Sequence, residues 1–137
     1  MFQLVWLIDP SPVCMIFNKR KMGSFGEKIA EDFLKRKKYK IIEKNYQNKF
    51  GEIDLIALDK KQLVFIEVKL KTSHRFGLPE DEFNFYKKIK INRTVKAYFL
   101  EKKIDEENWR VDLIAIDFFS DSVSDFEIRH HQGVSLK

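Results

Sequence analysis

Two apolar segments of this chain each contain an acidic residue. Residues 51–58 contain Asp54, together with Glu52, and residues 63–69 contain Glu67. Both segments have the pattern of β-strands, and a tight turn at residues 59–62 would join them into a hairpin. In the symmetric register, Asp54 lies opposite Glu67 with the two Cβ atoms about 4.5–5.5 Å apart. Carboxylates at that distance repel, and a shared proton, a neighbouring cation or a bound divalent metal would offset the repulsion.

The alternation of side chains along a strand predicts which other residues share the face of these acids. Glu52 shares the face of Asp54, Lys69 shares the face of Glu67, and the opposite face of the first strand carries Ile53, Leu55 and Ala57. We favour a metal site, because Mg²⁺ takes one or two carboxylates and keeps waters for substrate phosphates. Lys69 would then reach a metal-bound water. The alternative is a solvated hairpin face with an ion pair between Glu52 and Lys69.

The elements that carry these residues follow from the hydrophobic periodicity of the chain. Helical spacing predicts a first helix over residues 24–37 and a second over residues 80–103. Strand patterns predict a meander and one or two later strands, at residues 39–46, 51–58, 63–69, 109–118 and weakly near 125–130. Residues 70–79 are predicted to form a loop between the third strand and the second helix. This order predicts a mixed α/β fold, in which helices flank one β-sheet.

The length of 137 residues suits one domain. We predict a single domain over residues 22–137 and an amino-terminal appendage over residues 1–21, with translation starting at Met22 as one hypothesis. The apolar run at residues 1–8 is far shorter than the roughly 20 residues that span a bilayer, so we expect no membrane association. A lone Cys14 cannot form an internal disulfide, which indicates a reducing compartment such as the cytoplasm.

Positive charge is concentrated in two parts of the sequence. Residues 19–49 carry 11 Lys/Arg against 4 Asp/Glu, and residues 69–103 carry 10 against 4, whereas residues 104–137 carry 3 against 8. A polyanion such as nucleic acid is the natural partner of such a surface, because binding it releases counterions. The alternative is an ordinary solvated surface that is rich in lysine.

The motif Gly51-Glu52-Ile53-Asp54 followed by Phe65-Ile66-Glu67-Val68-Lys69 resembles the signature of the restriction-endonuclease-like (PD-(D/E)XK) nuclease superfamily. Further motifs resemble the YraN family of small uncharacterised bacterial proteins, which is similar to archaeal Holliday junction resolvases. These motifs are Phe25-Gly26-Glu27-Lys28-Ile29-Ala30, Glu43-Lys44-Asn45-Tyr46, Arg75-Phe76-Gly77, Lys87 and Arg110-Val111-Asp112. The resemblance covers about residues 22–117. It implies a restriction-endonuclease-like core with elements in the order α-β-β-β-α-β(-β).

The resemblance also implies roles for individual residues. Asp54 and Glu67 are expected to bind Mg²⁺ or Mn²⁺, and Lys69 is expected to orient or polarise the attacking water. Glu27 is expected to be a further acid at the metal. It borders the apolar stripe of the first helix, and the alternative is an exposed residue whose charge suits the helix dipole.

Basic residues near this site are expected to contact the nucleic acid. Lys71 stands where the family commonly has an arginine, and Arg75 follows His74 in the loop. Lys87 and Lys90 lie three residues apart on the second helix, and Thr94 continues that helix face; a solvated lysine face is the alternative. The adjacent pair His130-His131 suggests a metal pair, but neighbouring residues of a strand point to opposite faces and would not bind one ion together, so a polar tail is the favoured interpretation.

Together these features predict a metal-dependent endonuclease-like protein that hydrolyses phosphodiester bonds in DNA. Such a small chain has no separate module to read sequence, so we expect it to recognise backbone shape, such as branches or ends. A homodimer would suit a two-stranded substrate. The alternative is a non-catalytic nucleic-acid-binding protein that keeps the nuclease fold.

Overall fold

The computed structural model describes residues 19–72, 77–119 and 125–137. The elements follow one another in the predicted order, with a short 3₁₀ helix before the second α-helix. They are α1 (Lys19–Arg36), β1 (Lys40–Asn48), β2 (Gly51–Asp59), β3 (Gln62–Lys71), the 3₁₀ helix (Pro79–Glu82), α2 (Phe85–Lys102), β4 (Trp109–Phe118) and β5 (Phe126–His131). The limits of β4 are those predicted from the sequence. Helix α1 begins at Lys19, inside the segment that we set apart as an appendage.

The five described strands form one sheet in the order β1-β2-β3-β4-β5. Neighbouring strands are antiparallel except β3 and β4, which are parallel. The parallel pair requires a crossover between the two strands, and α2 provides it. The predicted mixed α/β fold is therefore confirmed.

The two helices cover opposite faces of the sheet. Each helix contributes to its own hydrophobic core. The core beneath α1 contains Ile29, Ala30, Leu34, Leu55, Ala57, Val64, Ile66, Ile114 and Ile116. The core beneath α2 contains Tyr46, Ile53, Ile56, Phe65, Ile91, Val95, Tyr98, Phe99, Val111 and Leu113. Within the described residues, no helix is both long and apolar enough to cross a membrane.

The second predicted helix, over residues 80–103, is divided in the structure. The 3₁₀ helix ends at Glu82 and α2 starts only at Phe85. The Asn84 side chain caps α2, because its Oδ1 accepts a hydrogen bond from the Lys87 backbone N–H at 3.1 Å. Asparagine favours such a cap over a helix interior, since its side chain competes for backbone hydrogen bonds. The prediction of one continuous helix was therefore wrong.

Ion pairs and hydrogen bonds fix strand β5 to the rest of the protein, and two of them reach fully buried acids. Arg129 donates to both Glu80 oxygens, at 2.6 and 2.8 Å, and also pairs with the fully buried Asp117. His131 Nε2 lies 2.9 Å from Glu80, whereas His130 Nε2 lies 2.8 Å from a different acid, the fully buried Asp112. The two histidines therefore belong to separate networks. The prediction of a polar tail was wrong, because both lie in a strand of the sheet.

Candidate active site

Strands β2 and β3 diverge at Asp54. They pair from Asp59–Gln62 to Leu55–Ile66, in the symmetric register predicted for the hairpin. Beyond that point β2 stays paired with β1, and β3 with β4. Oδ2 of Asp54 accepts a hydrogen bond from the Val68 backbone N–H at 2.8 Å. The Asp54 carboxylate is therefore turned toward β3, beside Glu67 rather than paired with it in the ladder. It lies at the edge of the gap between the two diverging strands, which we call the opening.

The predicted alternation of faces along β2 breaks at Asp54. Leu55 lies in the core beneath α1, as expected, but Ile53 lies in the core beneath α2. Asn45, at the matching position of β1, has a left-handed backbone with φ of 53°. Asparagine tolerates this conformation better than most residues, and it interrupts the regular pleat of the strand. The assignment of Ile53 to the face of Leu55 was therefore wrong.

Glu67 is buried and has cations at only one of its two oxygens. It is 4% exposed. Lys87 Nζ lies 3.3 Å from Oε1, and Lys69 Nζ lies 3.7 Å from the same oxygen. The other oxygen, Oε2, is buried and has no hydrogen-bond partner among the described residues. Because a buried acceptor without a partner is unfavourable, Oε2 is suited to a further ligand.

The pKa of Glu67 reflects this environment. Its pKa is raised from 4.5 to about 7, mainly by burial and then by the nearby charge of Asp54, against the lowering effects of Lys87 and Lys69. The two acids are thus close enough to repel, as the hairpin register predicted. A cation near Oε2 would favour the ionised form of Glu67.

Glu27 lies on α1 within the field of the same acids. Burial raises the pKa of Glu27, and the charges of Asp54 and Glu52 contribute in the same direction, while a hydrogen bond with Asn45 lowers it. Glu27 is half-buried rather than fully solvated. The helix therefore places a third acid within electrostatic reach of Asp54.

Glu52 does not form the predicted ion pair with Lys69. Its backbone partner is Gln47 of β1. Because β2 and β3 separate before reaching this level, Glu52 and Lys69 are not opposite each other, and no ion pair joins them within the described ranges. The alternative of a solvated hairpin face with this ion pair was therefore wrong.

A further acid, Glu82 of the 3₁₀ helix, contacts the lysines at the end of β3. Lys71 Nζ lies 2.6 Å from Glu82 Oε1, and Lys69 Nζ lies 3.9 Å from Glu82 Oε2. Lys69 thus stands between Glu67 and Glu82. Any phosphate that binds Lys71 competes with the Glu82 carboxylate.

The other residues predicted to contact nucleic acid lie in different environments from one another. Lys87 points to Glu67, whereas Lys90 is exposed. Thr94 is fully buried and donates to the Lys90 carbonyl at 2.7 Å, so its predicted place on an exposed face was wrong. Arg75, with its neighbour His74, lies outside the described residues, and its role stays a prediction.

Asp54 and Glu67 could hold a divalent cation. Mg²⁺ prefers oxygen ligands and commonly takes one or two carboxylates with several waters, and the open Oε2 of Glu67 suits that chemistry. In the ranges that the structure describes, no group of three or more His, Cys, Asp or Glu side chains is arranged to hold a metal ion. The site therefore offers a pair of carboxylates, and Glu27 stays a prediction as a third ligand.

Three features of the site were missed by sequence reasoning. They are the contact of Lys87 with Glu67, the contacts of Glu82 and the hydrogen bond of Asn45. The predicted helix over residues 80–103 would put Glu82 in its first turn, where an acid is common. Asparagine in a strand is unusual, and this was the only signal that could have identified Asn45.

The fold and the site define a mixed α/β protein with a lysine-flanked pair of carboxylates where two strands diverge. The sequence model of Uncharacterised protein family UPF0102 matches residues 26–116, and the chain belongs to this family. The resemblance to a family of small uncharacterised proteins is thereby confirmed.

Several relatives match most of the chain. A UPF0102 protein of Caldanaerobacter subterraneus subsp. tengcongensis is 48% identical over 99 residues, which cover 72% of this chain and 81% of the relative. UPF0102 proteins of Alkaliphilus oremlandii and Carboxydothermus hydrogenoformans are 36% and 38% identical, over 83% and 85% of this chain and 97% of each relative. Their names give the family and no activity.

Proposed function

We propose that this chain is a restriction-endonuclease-like protein that binds DNA and hydrolyses its phosphodiester bonds with the help of a divalent metal. The observation that carries the proposal is the environment of Glu67. A buried carboxylate with one open oxygen, an acid beside it and two lysines against its other oxygen has little value for folding, since burial of charge is unfavourable. The same arrangement is useful for phosphate chemistry.

Each residue of the site has a specific task in this proposal. Asp54 and Glu67 would hold Mg²⁺ or Mn²⁺, which supplies a Lewis acid and lowers the pKa of a bound water. The hydrogen bond from Val68 fixes the orientation of the Asp54 carboxylate. Lys69, on the same strand face as Glu67, would position the attacking water and balance negative charge.

Basic residues would hold the backbone of the substrate. Lys71, Arg75 and Lys90 are the proposed phosphate contacts, and Lys87 would join them if it leaves Glu67. Binding through phosphates selects for the shape of the nucleic acid rather than its base sequence. Branches and ends are therefore the proposed substrates.

A second candidate function is nucleic-acid binding without cleavage. It is favoured by the contacts of Lys69 and Lys87 with Glu67, because these two cations partly compensate the buried carboxylate without any metal. In that case the site would be a structural remnant of the nuclease fold. Only an activity measurement separates the two candidates.

The test is a cleavage assay with end-labelled single-stranded, duplex, flapped and four-way DNA, in Mg²⁺, Mn²⁺ or EDTA. Glu67→Gln keeps the shape of the side chain and removes its charge. Glu106→Gln, an exposed acid in the segment between α2 and β4, is the matched control. We expect metal-dependent cutting by the wild type and the control, and none by Glu67→Gln.

Other outcomes distinguish the candidates. DNA binding without cleavage by the wild type would support the binding protein. Equal cleavage by Glu67→Gln and the wild type would remove Glu67 from the chemistry. Absence of both binding and cleavage would contradict both functions.

A further inference from the structure

The turn between β1 and β2 borders a shallow depression beside α2. It is lined by residues 47–52 and by Lys90. Two lysines, Lys49 and Lys90, and the aromatic ring of Phe50 contribute to this lining, and all three side chains are exposed. We call this feature the turn depression.

The turn depression has a fixed shape, because the turn is attached to α2. The Asn48 side chain donates to the Thr94 carbonyl at 3.1 Å, and its Oδ1 accepts the Phe50 backbone N–H at 2.9 Å. A Cβ at Gly51 would lie 2.9 Å from Thr94 Oγ1, and this hydroxyl is buried and bonded to the Lys90 carbonyl. Glycine is therefore required for the turn to approach the helix so closely.

Phe50 is an unusual residue for such a position. Its side chain is 38% exposed, and the ammonium of Lys49 lies 5.1 Å from the centroid of its ring. An aromatic ring held at the surface by a rigid turn, with cations beside it, is the arrangement by which proteins stack and hold single-stranded nucleic acid. The rigid backbone also limits the entropy lost when a ligand binds.

The turn depression adjoins the candidate active site. Lys90 follows Lys87 by three residues on α2, so their Cα atoms are about 5 Å apart, and Lys87 contacts Glu67. On the other side, Glu52 lines the turn depression and acts electrostatically on Glu27. A nucleic-acid strand that passes the carboxylates can therefore reach Phe50.

We propose that the turn depression binds one unpaired nucleotide of a DNA strand, next to the phosphodiester bond at the carboxylate pair. The base stacks on Phe50, while Lys49 and Lys90 contact the flanking phosphates. A base within a duplex is covered on both faces by its neighbours, so only an unpaired or displaced base can stack on this ring. The inference rests on the proposed function and adds to it a preference for substrates with unpaired nucleotides, such as flaps, gaps and overhangs.

Two other exposed aromatic residues offer a matched control. Phe85 and Tyr86 are 63% and 78% exposed at the start of α2, and their rings contact each other at 5.8 Å between centroids. Neither residue lines the turn depression. Tyr86→Ser therefore removes an exposed aromatic ring near the basic helix without changing the proposed subsite.

The test measures binding in EDTA, so that it does not depend on cleavage. Single-stranded and blunt duplex DNA, each with 2-aminopurine, are titrated with the wild type, Phe50→Ser, Phe50→Trp and Tyr86→Ser. We expect Phe50→Ser to weaken binding of single-stranded DNA by about 5- to 100-fold and to abolish the quenching of 2-aminopurine, with little change for the duplex. Phe50→Trp should restore both signals, and Tyr86→Ser should resemble the wild type.

The outcomes separate this inference from the proposed function. If the wild type binds DNA but Phe50→Ser loses nothing, or loses equally on both substrates, the subsite is overturned and the proposed function stands. A selective loss in Tyr86→Ser instead would place stacking at α2 and also overturn the subsite. If the wild type binds neither substrate, the DNA-binding function fails together with the inference.

Discussion

The ammonium of Lys87 on α2 lies 3.3 Å from Oε1 of Glu67 on β3, closer than the 3.7 Å between Lys69 and the same oxygen. A helix therefore supplies the nearer cation of a site whose central pair of acids, Asp54 and Glu67, comes from strands. The attraction of Lys87 lowers the pKa of Glu67 more than that of Lys69 does, yet burial and Asp54 still keep this pKa near 7. The site thus holds a carboxylate that is only partly compensated.

The first prediction concerns pH and stability. The pKa of Glu67 is raised from 4.5 to about 7 in the folded state, so the folded protein binds more protons than the unfolded chain between these values. Stability contributed by this group is present at low pH and lost as pH rises through about 7. Glu67→Gln has no such loss, and its metal-free stability relative to the wild type should increase by up to about 3 kcal/mol from acidic to mildly alkaline pH. Urea unfolding in EDTA, at one pH below 4.5 and one above 7, measures this difference. A difference in stability that does not change with pH would contradict the raised pKa of Glu67.

The second prediction concerns the metal. If Asp54 and Glu67 bind Mg²⁺ or Mn²⁺, an excess of about 100 times Kd should raise the free energy of unfolding of the wild type by about 2.7 kcal/mol. Asp54→Asn keeps an acceptor for the Val68 N–H but removes the charge, and should lose most of this gain. Calorimetry with metal and with EDTA gives the comparison, with Glu106→Gln as control. An equal gain in all three proteins would place the metal elsewhere.

The third prediction concerns Glu82, which competes for Lys71 and Lys69 at 2.6 and 3.9 Å. Glu82→Gln removes the ion pair of Lys71 and one of the two acids at Lys69, so DNA binding should strengthen by up to about fivefold, because an exposed ion pair is worth about 1 kcal/mol at most. Binding by fluorescence anisotropy over a range of salt concentrations measures this change. The idea fails if Glu82→Gln binds no more tightly than Glu106→Gln.

The fourth prediction concerns Arg129, which joins Glu80 to the buried Asp117. Arg129→Met should destabilise the protein by up to about 3–5 kcal/mol, because it removes the cation that pairs with the fully buried Asp117. Hydrogen bonds from Arg129, and then His131, lower the pKa of Glu80 to about 2. The stability that depends on this group is therefore present above 4.5 and lost as pH falls toward about 2. Unfolding of the wild type and Arg129→Met should differ less at the acid end of this range, and a constant difference would argue against the linkage.

The amino-acid sequence by itself determined the order of the helices and strands and the register of the central hairpin. Residues 59–62 form a tight turn that apolar residues flank symmetrically, and a turn of this length sets the register of the hairpin. This local logic also placed Asp54, Glu67 and Lys69 near one another. The turn and the alternation of side chains depend on residues close together in the sequence, so the spacing of residue types predicts them.

Only the tertiary structure decided what surrounds those residues. Lys87 meets Glu67 across 20 positions of sequence, because α2 packs on the face of the sheet that carries Phe65. Two single residues account for two wrong predictions. The left-handed Asn45 lies where the predicted strand faces fail, and the capping Asn84 divides the predicted helix. Contacts of this kind depend on how elements dock, and docking is set by the packing of both cores together. The nearer cation at Glu67, Lys87, therefore follows from the fold, whereas the more distant Lys69 belongs to the motif.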